Sequence, residues 1–415
     1  MPRRHDDLFG QIATFRALHD AARRAAVGKR RKPGAAAFMA NLERELLRLE
    51  RELNDGRYRT GRYLEIIVRD PKRRLVSAAP FRDRVVHHAL FAVIGPLFER
   101  GFIPDTYANR TGYGTHRAVA RYEHFRDRHA HVLRADLWRY FPSIDHEILK
   151  RDLRRRIACP QTLALCDTII DGSNEQEPVA CYFPGDDLFT PHERRRGLPL
   201  GNLTSQFFAN LYLDGFDHWV KEVLRAPYLR YVDDFALFSN NADQLADWRE
   251  RITVYLEGRR LRLHPDKTQI VATPVPATFL GYELHPDGHR RLPPENVTRF
   301  RHRLEQMRRD WQAQRVSGDE VRQRVHAWIA HARHADTHGL RHTLFQGGWF
   351  DPLWSDSLPV EAPGALKRAV FCGAVPGTTT RGTCARPTAT GTHRTTGTTT
   401  PVSVSPARPA PERWF

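Results

Sequence analysis

Apolar positions recur at intervals of three and four within residues 8–53 (Phe38, Leu42, Leu46, Leu49, Leu53), with Glu and Arg between them. That is the period of a helix with one buried face. The KRRKPG stretch at 29–34 breaks it into two. From Tyr63 to Pro80 the pattern changes to short apolar runs, LEIIV and LVSAAP, around the basic RDPKRR, which predicts a β-hairpin with a cationic connection. Val85 to Phe98 returns to helical spacing, the glycine-bearing loop TYANRTGYGTH opens another helix through Phe125, and HVLRADL has the apolar density of a buried strand. A polar stretch with Gly and Pro fills 171–197. GLPLGNLTSQFFANLYLDGFDHWV then reads as a loop opening a long helix, and LRYVDDFALF as two strands joined at their acids. Residues 295–345 form a basic helical pattern, with Phe300, Leu304, Met307 and Trp311 in register. Beyond about Gly347 the chain turns to Thr, Pro, Gly, Ala and Arg, a composition that cannot bury a core and predicts disorder.

Composition narrows the class. Over 415 residues, Lys plus Arg (65) exceed Asp plus Glu (48) by 17, and 40% of positions are apolar. The basic excess is mostly Arg and is spread along the folded part, which suits a surface that holds a polyanion, nucleic acid first of all. The five cysteines (Cys159, Cys166, Cys181, Cys372, Cys384) show no CxxC pairing, so neither a disulfide framework nor a zinc knuckle is supported. No apolar run approaches the roughly 18–20 residues of a membrane span, and MPRRHDDLFG is not followed by an apolar signal core. A soluble, cytoplasmic protein without membrane contact is expected.

The sharpest chemical signal is Tyr231-Val232-Asp233-Asp234. An isolated Asp-Asp pair ordinarily fills an exposed turn. Here apolar strands flank it, and Asp136 ends a strand of its own about a hundred residues upstream. Like charges at close range raise each other's pKa and call for cations. Asp136, Asp233 and Asp234 on adjacent strands are suited to two Mg²⁺ ions, the arrangement that activates an attacking hydroxyl and stabilises a leaving pyrophosphate.

These blocks resemble the reverse transcriptases over most of residues 60–285. YVDDFALF is similar to that family's YxDD signature, and RADLWRYFPSIDHEIL to its motif A, which makes Asp136 the third metal ligand. The resemblance implies an α+β right-hand polymerase: an N-terminal helical region at 1–60, fingers at 61–130, a palm with an antiparallel sheet at 131–290 (including a fingers-related insertion near 171–197), a helical thumb at 291–346, and a largely disordered tail at 347–415. It also implies that Phe141, five residues after Asp136, closes the nucleotide pocket against a ribose 2′-hydroxyl and so favours dNTPs. Simple core packing is the other reading of that ring.

GLPLGNLTSQ resembles the motif that shapes the pocket around the incoming base. Most of the family has Gln-Gly and then Ser-Pro; this chain has Leu200, Gly201, Ser205 and Gln206, the pattern of the diversity-generating retroelement type. Leu in place of a hydrogen-bonding Gln removes a polar contact beside the base pair and lowers discrimination by about 1–3 kcal/mol, unless Leu200 merely fills an apolar gap. Upstream, VRDPKRRLVSAAPFRDRVVHH resembles the fingers segment that holds the triphosphate, with Arg69 and Arg74 the phosphate ligands and Lys72 and Arg73 nearby; a basic turn is also an ordinary solvated surface. Arg suits bidentate phosphate contact. In LRLHPDKTQIV, Lys267 is placed to donate a proton to pyrophosphate, and ATFLGYEL resembles the primer-grip hairpin around Leu280 and Gly281.

The resemblance implies, as partners, a template RNA copied into error-prone cDNA, dNTPs, and a small basic oligomeric accessory protein. Alternatives are a retron-type or defence-associated reverse transcriptase and, in a different class, a catalytically decayed RNA-binding protein. The twelve threonines of 377–400 suit a linker. They also suit a gene end that overlaps an adenine-rich template repeat, because Thr codons begin with AC and a frame shifted by one base reads xAC, an Asn codon wherever x is adenine.

Overall fold

Charged residues on one side and Leu or Ala on the other drive the first and last of the three N-terminal helices; the middle one, PGAAAFMA, carries no charge. After a 3₁₀ turn at Phe9–Gln11 come α1 (Phe15–Ala26), α2 (Pro33–Ala40) and α3 (Leu42–Asn54). The break at 29–34 is present, with Pro33 opening α2, as proline's fixed φ favours at a helix start. A second break, which the periodicity did not indicate, falls at Asn41. Its side chain donates back to the Ala37 carbonyl at 3.3 Å, the local competition that makes Asn a helix interrupter. Glu50 of α3 accepts from the Phe15 N–H at 2.7 Å, tying the α1 start to α3.

The computed structural model describes residues 4–68, 73–174, 176 and 181–345. The chain divides into Met1–Asp356 and Ser357–Phe415, and the described residues lie in the first unit; the threonine-rich segment is outside them. β1 (Leu64–Val68) and β2 (Arg74–Ala78) form the expected hairpin, followed by α4 (Phe81–Glu99) and α5 (Thr115–Arg126). Although apolar, Leu64, Ile66, Ile67 and Val68 are all exposed. β3 (His131–Asp136) leads through α6 (Tyr140–Ser143), α7 (His146–Arg154), α8 (Pro160–Asp171) and α9 (Thr190–Glu193) to α10 (Leu203–Tyr212) and α11 (Asp214–Trp219), with a π-helical turn at Val220–Leu224. The long helix expected after GLPLGN is therefore interrupted at Leu213. β4 (Tyr228–Tyr231), β5 (Asp234–Ser239), α12 (Ala242–Gly258) and β6 (Gln269–Ala272) follow. Then come β7 (Ala277–Phe279), β8 (Tyr282–Leu284), β9 (Arg290–Arg291), and the helices α13 (Pro294–Gln312), α14 (Gly318–Ala332) and α15 (His338–Phe345).

The central sheet is antiparallel in the order β4-β5-β3-β6. Its side chains alternate between two cores. Leu133, Ala135, Tyr228, Phe235 and Leu237 pack among the helices α4, α7, α10 and α12. Val132, Leu229, Ala236 and Phe238 pack instead with Tyr122 and Phe125 of α5 and with Phe279 and Tyr282 of the β7-β8 hairpin. Coverage of both faces explains why these strands read as near-continuous apolar runs. Each fully buried large side chain contributes about 1.5–3 kcal/mol. At Leu280 (φ 47°) and Gly281 (φ 86°) the β7-β8 turn has two left-handed residues in succession, the tight hairpin geometry that matches strand twist. The terminal helices form their own cluster from Phe300, Leu304, Met307, Val321 and Val325, and α14 begins with a capping box of Ser317 and Glu320. These layers, a helix-backed antiparallel sheet with a hairpin before it and a helical end, are those of a right-hand polymerase.

Candidate active site

The sheet register brings the acids together. Asp136 ends β3 directly opposite Asp234, which begins β5. Opposed residues of an antiparallel pair share one face, with Cβ atoms about 4.5–5.5 Å apart. Asp233 immediately precedes Asp234, in the two-residue turn that joins Tyr231 to Asp234. Asp136 is buried, Asp233 and Asp234 are half-buried, and the pKa values of the latter two are raised. Asp233 is pushed up to about 6, first by desolvation and then by the charge of Asp136. Asp234 is pushed up to about 7 by desolvation, Asp233 and Asp136.

Lys267 supplies the counter-charge. Its ammonium is ion-paired with the Asp136 carboxylate, 131 residues away in sequence. The backbone arranges this: the Trp138 N–H donates to the Arg262 carbonyl at 2.9 Å and the His264 N–H to the Asp136 carbonyl at 2.7 Å, so the segment carrying Lys267 runs beside the end of β3. Among the described residues, no three His, Cys, Asp or Glu side chains are closed into a ready metal cage. The donor chemistry nevertheless fits a hard divalent ion, because all three groups are carboxylates whose charge is left under-compensated, and an ammonium already stands where a cation is needed.

Without a divalent ion, the raised pKa values set the pH dependence. Both groups bind protons more tightly folded than unfolded, where carboxylates titrate near about 4. The stability they contribute is full below that pH and is lost as pH rises through the folded values of about 6 and 7. In chelator, the melting temperature should fall across this window more steeply for the wild type than for an Asp233→Asn/Asp234→Asn variant. Parallel curves in a pH series of thermal melts would contradict the coupling.

A second device holds the turn. Val232 has φ 58°, a costly conformation for a β-branched residue. Its carbonyl accepts from Arg230 Nη1 at 2.8 Å. Arg230 is fully buried, and its Nε and Nη2 donate to the two carboxylate oxygens of buried Asp217 at 2.7 and 2.6 Å. The Tyr228 hydroxyl at 2.6 Å and the Thr106 hydroxyl at 2.9 Å donate to the same carboxylate. The interruption at Leu213 turns α11 so that Asp217 lies beneath β4. The sequence reading missed this pair, although a lone Arg inside the apolar run LRYVDDFALF was the available signal.

Of the other anticipated residues, Arg74 begins β2 and is near enough to Asp233 to lower its pKa, whereas Arg69 and Lys72 lie outside the described residues. Phe141 is half-buried against the main core and accepts through its carbonyl from the Leu198 N–H at 3.0 Å. Its ring packs against that core, and its backbone is joined to the loop that carries Leu200. Leu200 and Gly201 lie against the hairpin: the Ser77 N–H donates to the Leu200 carbonyl at 3.0 Å. Asn202, also missed, is buried; its side chain accepts from the Ala79 N–H at 3.1 Å and donates to the Ser77 carbonyl at 2.8 Å. It occupies the N-cap position of α10 but makes no cap bond there, since its amide is spent on β2. Half-buried Gln206 lies one turn into that helix.

Gly201 has φ +103°, and a Cβ there would meet Val76 Cγ1 of β2 at 3.0 Å. Gly201→Ala is expected to cost about 1–3 kcal/mol of strain and to raise the KM for dNTP by shifting the strand that carries Arg74. Steady-state primer extension checks this, and an unchanged KM counts against coupling between loop and hairpin.

Residues 69–284 match the family described as reverse transcriptase (RNA-dependent DNA polymerase). Protein YkfC of Escherichia coli (strain K12) is 26% identical over 288 residues, which is 60% of this chain and 73% of YkfC. Among solved structures, apo telomerase from Candida tropicalis, truncated from the C-terminal domain, aligns with TM-score 0.41 and 13% identity over 56% of this chain and 55% of that one. Telomerase from Candida albicans in complex with a TWJ fragment of telomeric RNA aligns with TM-score 0.41 and 15% identity over 57% and 46%. The chain spans about half the length of these telomerases. Among the described residues no helix is long and apolar enough to cross a membrane. With the family match covering more than half of the sequence, and the two acidic motifs paired across one antiparallel sheet, this chain belongs to the reverse transcriptase family and is an RNA-directed DNA polymerase.

Proposed function

We propose that the enzyme copies a template-repeat RNA into error-prone cDNA for mutagenic retrohoming in a diversity-generating retroelement. Asp136, Asp233 and Asp234 would hold two Mg²⁺ ions, which supply Lewis-acid stabilisation of the charge that builds up at the reacting phosphorus. Arg74, with Arg69, binds the triphosphate, and Lys267 delivers a proton to pyrophosphate once its ammonium is displaced from Asp136. Phe141 excludes a 2′-hydroxyl, while Leu200, Gly201 and Gln206 bound the base pocket. Residues 61–130, 131–290 and 291–346 act as fingers, palm and thumb, and a small basic oligomeric protein assists on the template RNA.

The observation that carries this reading is the loop of Leu200 and Gly201, fastened to the fingers strand by the Ser77–Leu200 hydrogen bond. An aliphatic side chain stands there in place of an amide that would hydrogen-bond near the pairing base. Purified protein with template RNA, Mg²⁺ and dNTPs, followed by product sequencing, tests it. Errors concentrated opposite template adenines are expected. Accurate copying, or errors spread evenly over the four template bases, assigns the enzyme to a retron-type or defence-associated role instead. Phe141→Ala is expected to raise rGTP incorporation relative to dGTP by roughly ten- to a hundredfold, the scale of a lost steric contact; an unchanged ratio in competition assays leaves the ring with its packing role alone.

A further inference from the structure

Apart from the acids, the strongest concentration of charge lies on the N-terminal helices. Arg48, Arg51, Glu52, Arg57, Arg59 and Arg82 line an open cavity of about 600 Å³. Three stretches of chain meet there: the last turns of α3, the 57–59 link and the first turn of α4. The single acid is already engaged. Glu52 pairs with Arg48 at 2.8 Å and with Arg82. Arg57 pairs with Asp55 at the rim. Among the described residues Arg51 and Arg59 make no ion pair; Arg51 Nε donates to the Leu47 carbonyl at 3.3 Å, and Arg59 Nη1 to the Gly56 and Tyr58 carbonyls at 3.2 and 2.8 Å.

The walls are fixed. α3 is anchored by buried Leu46, Leu49 and Leu53, and the link is held to α4 through Asp83, which accepts from the Tyr58 hydroxyl at 3.0 Å and from the Gly61 N–H at 2.7 Å. Arg82 stacks over the Tyr58 ring, 5.2 Å from its centroid. Five guanidiniums thus converge on one cavity; Arg48 and Arg82 share Glu52, Arg82 also faces Asp83 at 3.7 Å and Arg57 pairs with Asp55, which leaves the charges of Arg51 and Arg59 for an entering anion to neutralise. No apolar side chain lines the cavity, which argues against a protein partner, whose interface would need an apolar centre, and against base stacking. Guanidinium forks match phosphate oxygens in pairs.

We propose that this cavity binds the phosphodiester backbone of an RNA chain beyond the stretch being copied, as a sequence-independent anchor; the inference rests on the RNA-copying activity. None of its six residues is hydrogen-bonded or ion-paired to the acid cluster, so the two sites separate experimentally. Arg51→Gln/Arg57→Gln in the full chain should weaken binding of a long single-stranded RNA on the order of tenfold. It should also flatten the slope of log K against log salt by about 1.4, the value for two lost contacts. Incorporation on a primed RNA just long enough to fill the cleft should stay at the wild-type level, and Arg51→Lys/Arg57→Lys should keep most of the slope. A single-stranded DNA of equal length distinguishes the source of the backbone: a smaller loss for DNA supports RNA, and an equal loss supports any phosphodiester strand. An unchanged salt slope, or loss of incorporation on the short primed RNA, overturns the proposal. If the wild type incorporates nothing while the slope still shifts, the copying activity fails and the cavity stands.

Discussion

Asp234→Asn is expected to lower primer extension by roughly 10³-fold or more while raising the melting temperature of the metal-free protein. The two effects share a cause. Asp234 lies opposite Asp136 in the sheet and beside Asp233 in the turn, and its pKa is pushed up to about 7. Removing its charge relieves repulsion that the fold otherwise tolerates, the usual trade between stability and activity at a site. On the proposed mechanism it also removes a carboxylate that would hold cations worth several kcal/mol to the transition state, and each 1.36 kcal/mol is tenfold in rate. Extension assays on primed RNA and thermal melts in chelator check both arms. A variant that keeps a tenth of the activity would exclude Asp234 from the reaction, and a wild type equally inactive would leave RNA binding alone.

Arg230→Met should be the most destabilising substitution near the site. It strands the Asp217 carboxylate, which is fully buried and lies close enough to Asp214 to help raise that group to about 6. Breaking a buried pair from one side costs about 3–5 kcal/mol, or roughly 10 °C in melting temperature for a domain of this size. Replacing both partners, Arg230→Met with Asp217→Leu, should recover much of the stability, because apolar groups of similar volume need no partner. Activity should not return, since the Val232 carbonyl still lacks its donor and the left-handed turn that presents Asp233 is unsupported. Full recovery of extension in the double variant would show that Arg230 only stabilises the fold.

Several local signals carried directly into structure. The apolar density around HVLRADL and LRYVDDFALF became paired strands, because strands covered on both faces leave an unmistakable composition. The helical spacing of 295–345 became α13, α14 and α15. Other features were illegible for stated reasons. The LEIIV run gave the hairpin but not its environment: its side chains are exposed, and nothing in a five-residue apolar stretch says whether a partner layer exists. The breaks at Asn41 and Leu213 depend on a side chain turning back on its own helix and on Asp217 meeting Arg230, neither of which alters the period of apolar residues.

By itself the sequence determined the reaction class, because the acids Asp136, Asp233 and Asp234 are embedded in strand-forming runs, and local pattern is what fixes strands. Only the tertiary structure decided what those acids touch. Lys267 reaches Asp136 across 131 residues, Asn202 binds β2 across 123 to 125, and five arginines from three segments share one cavity. Such contacts follow from how the layers pack, and a pairing between distant residues leaves no trace in the periodicity of either partner.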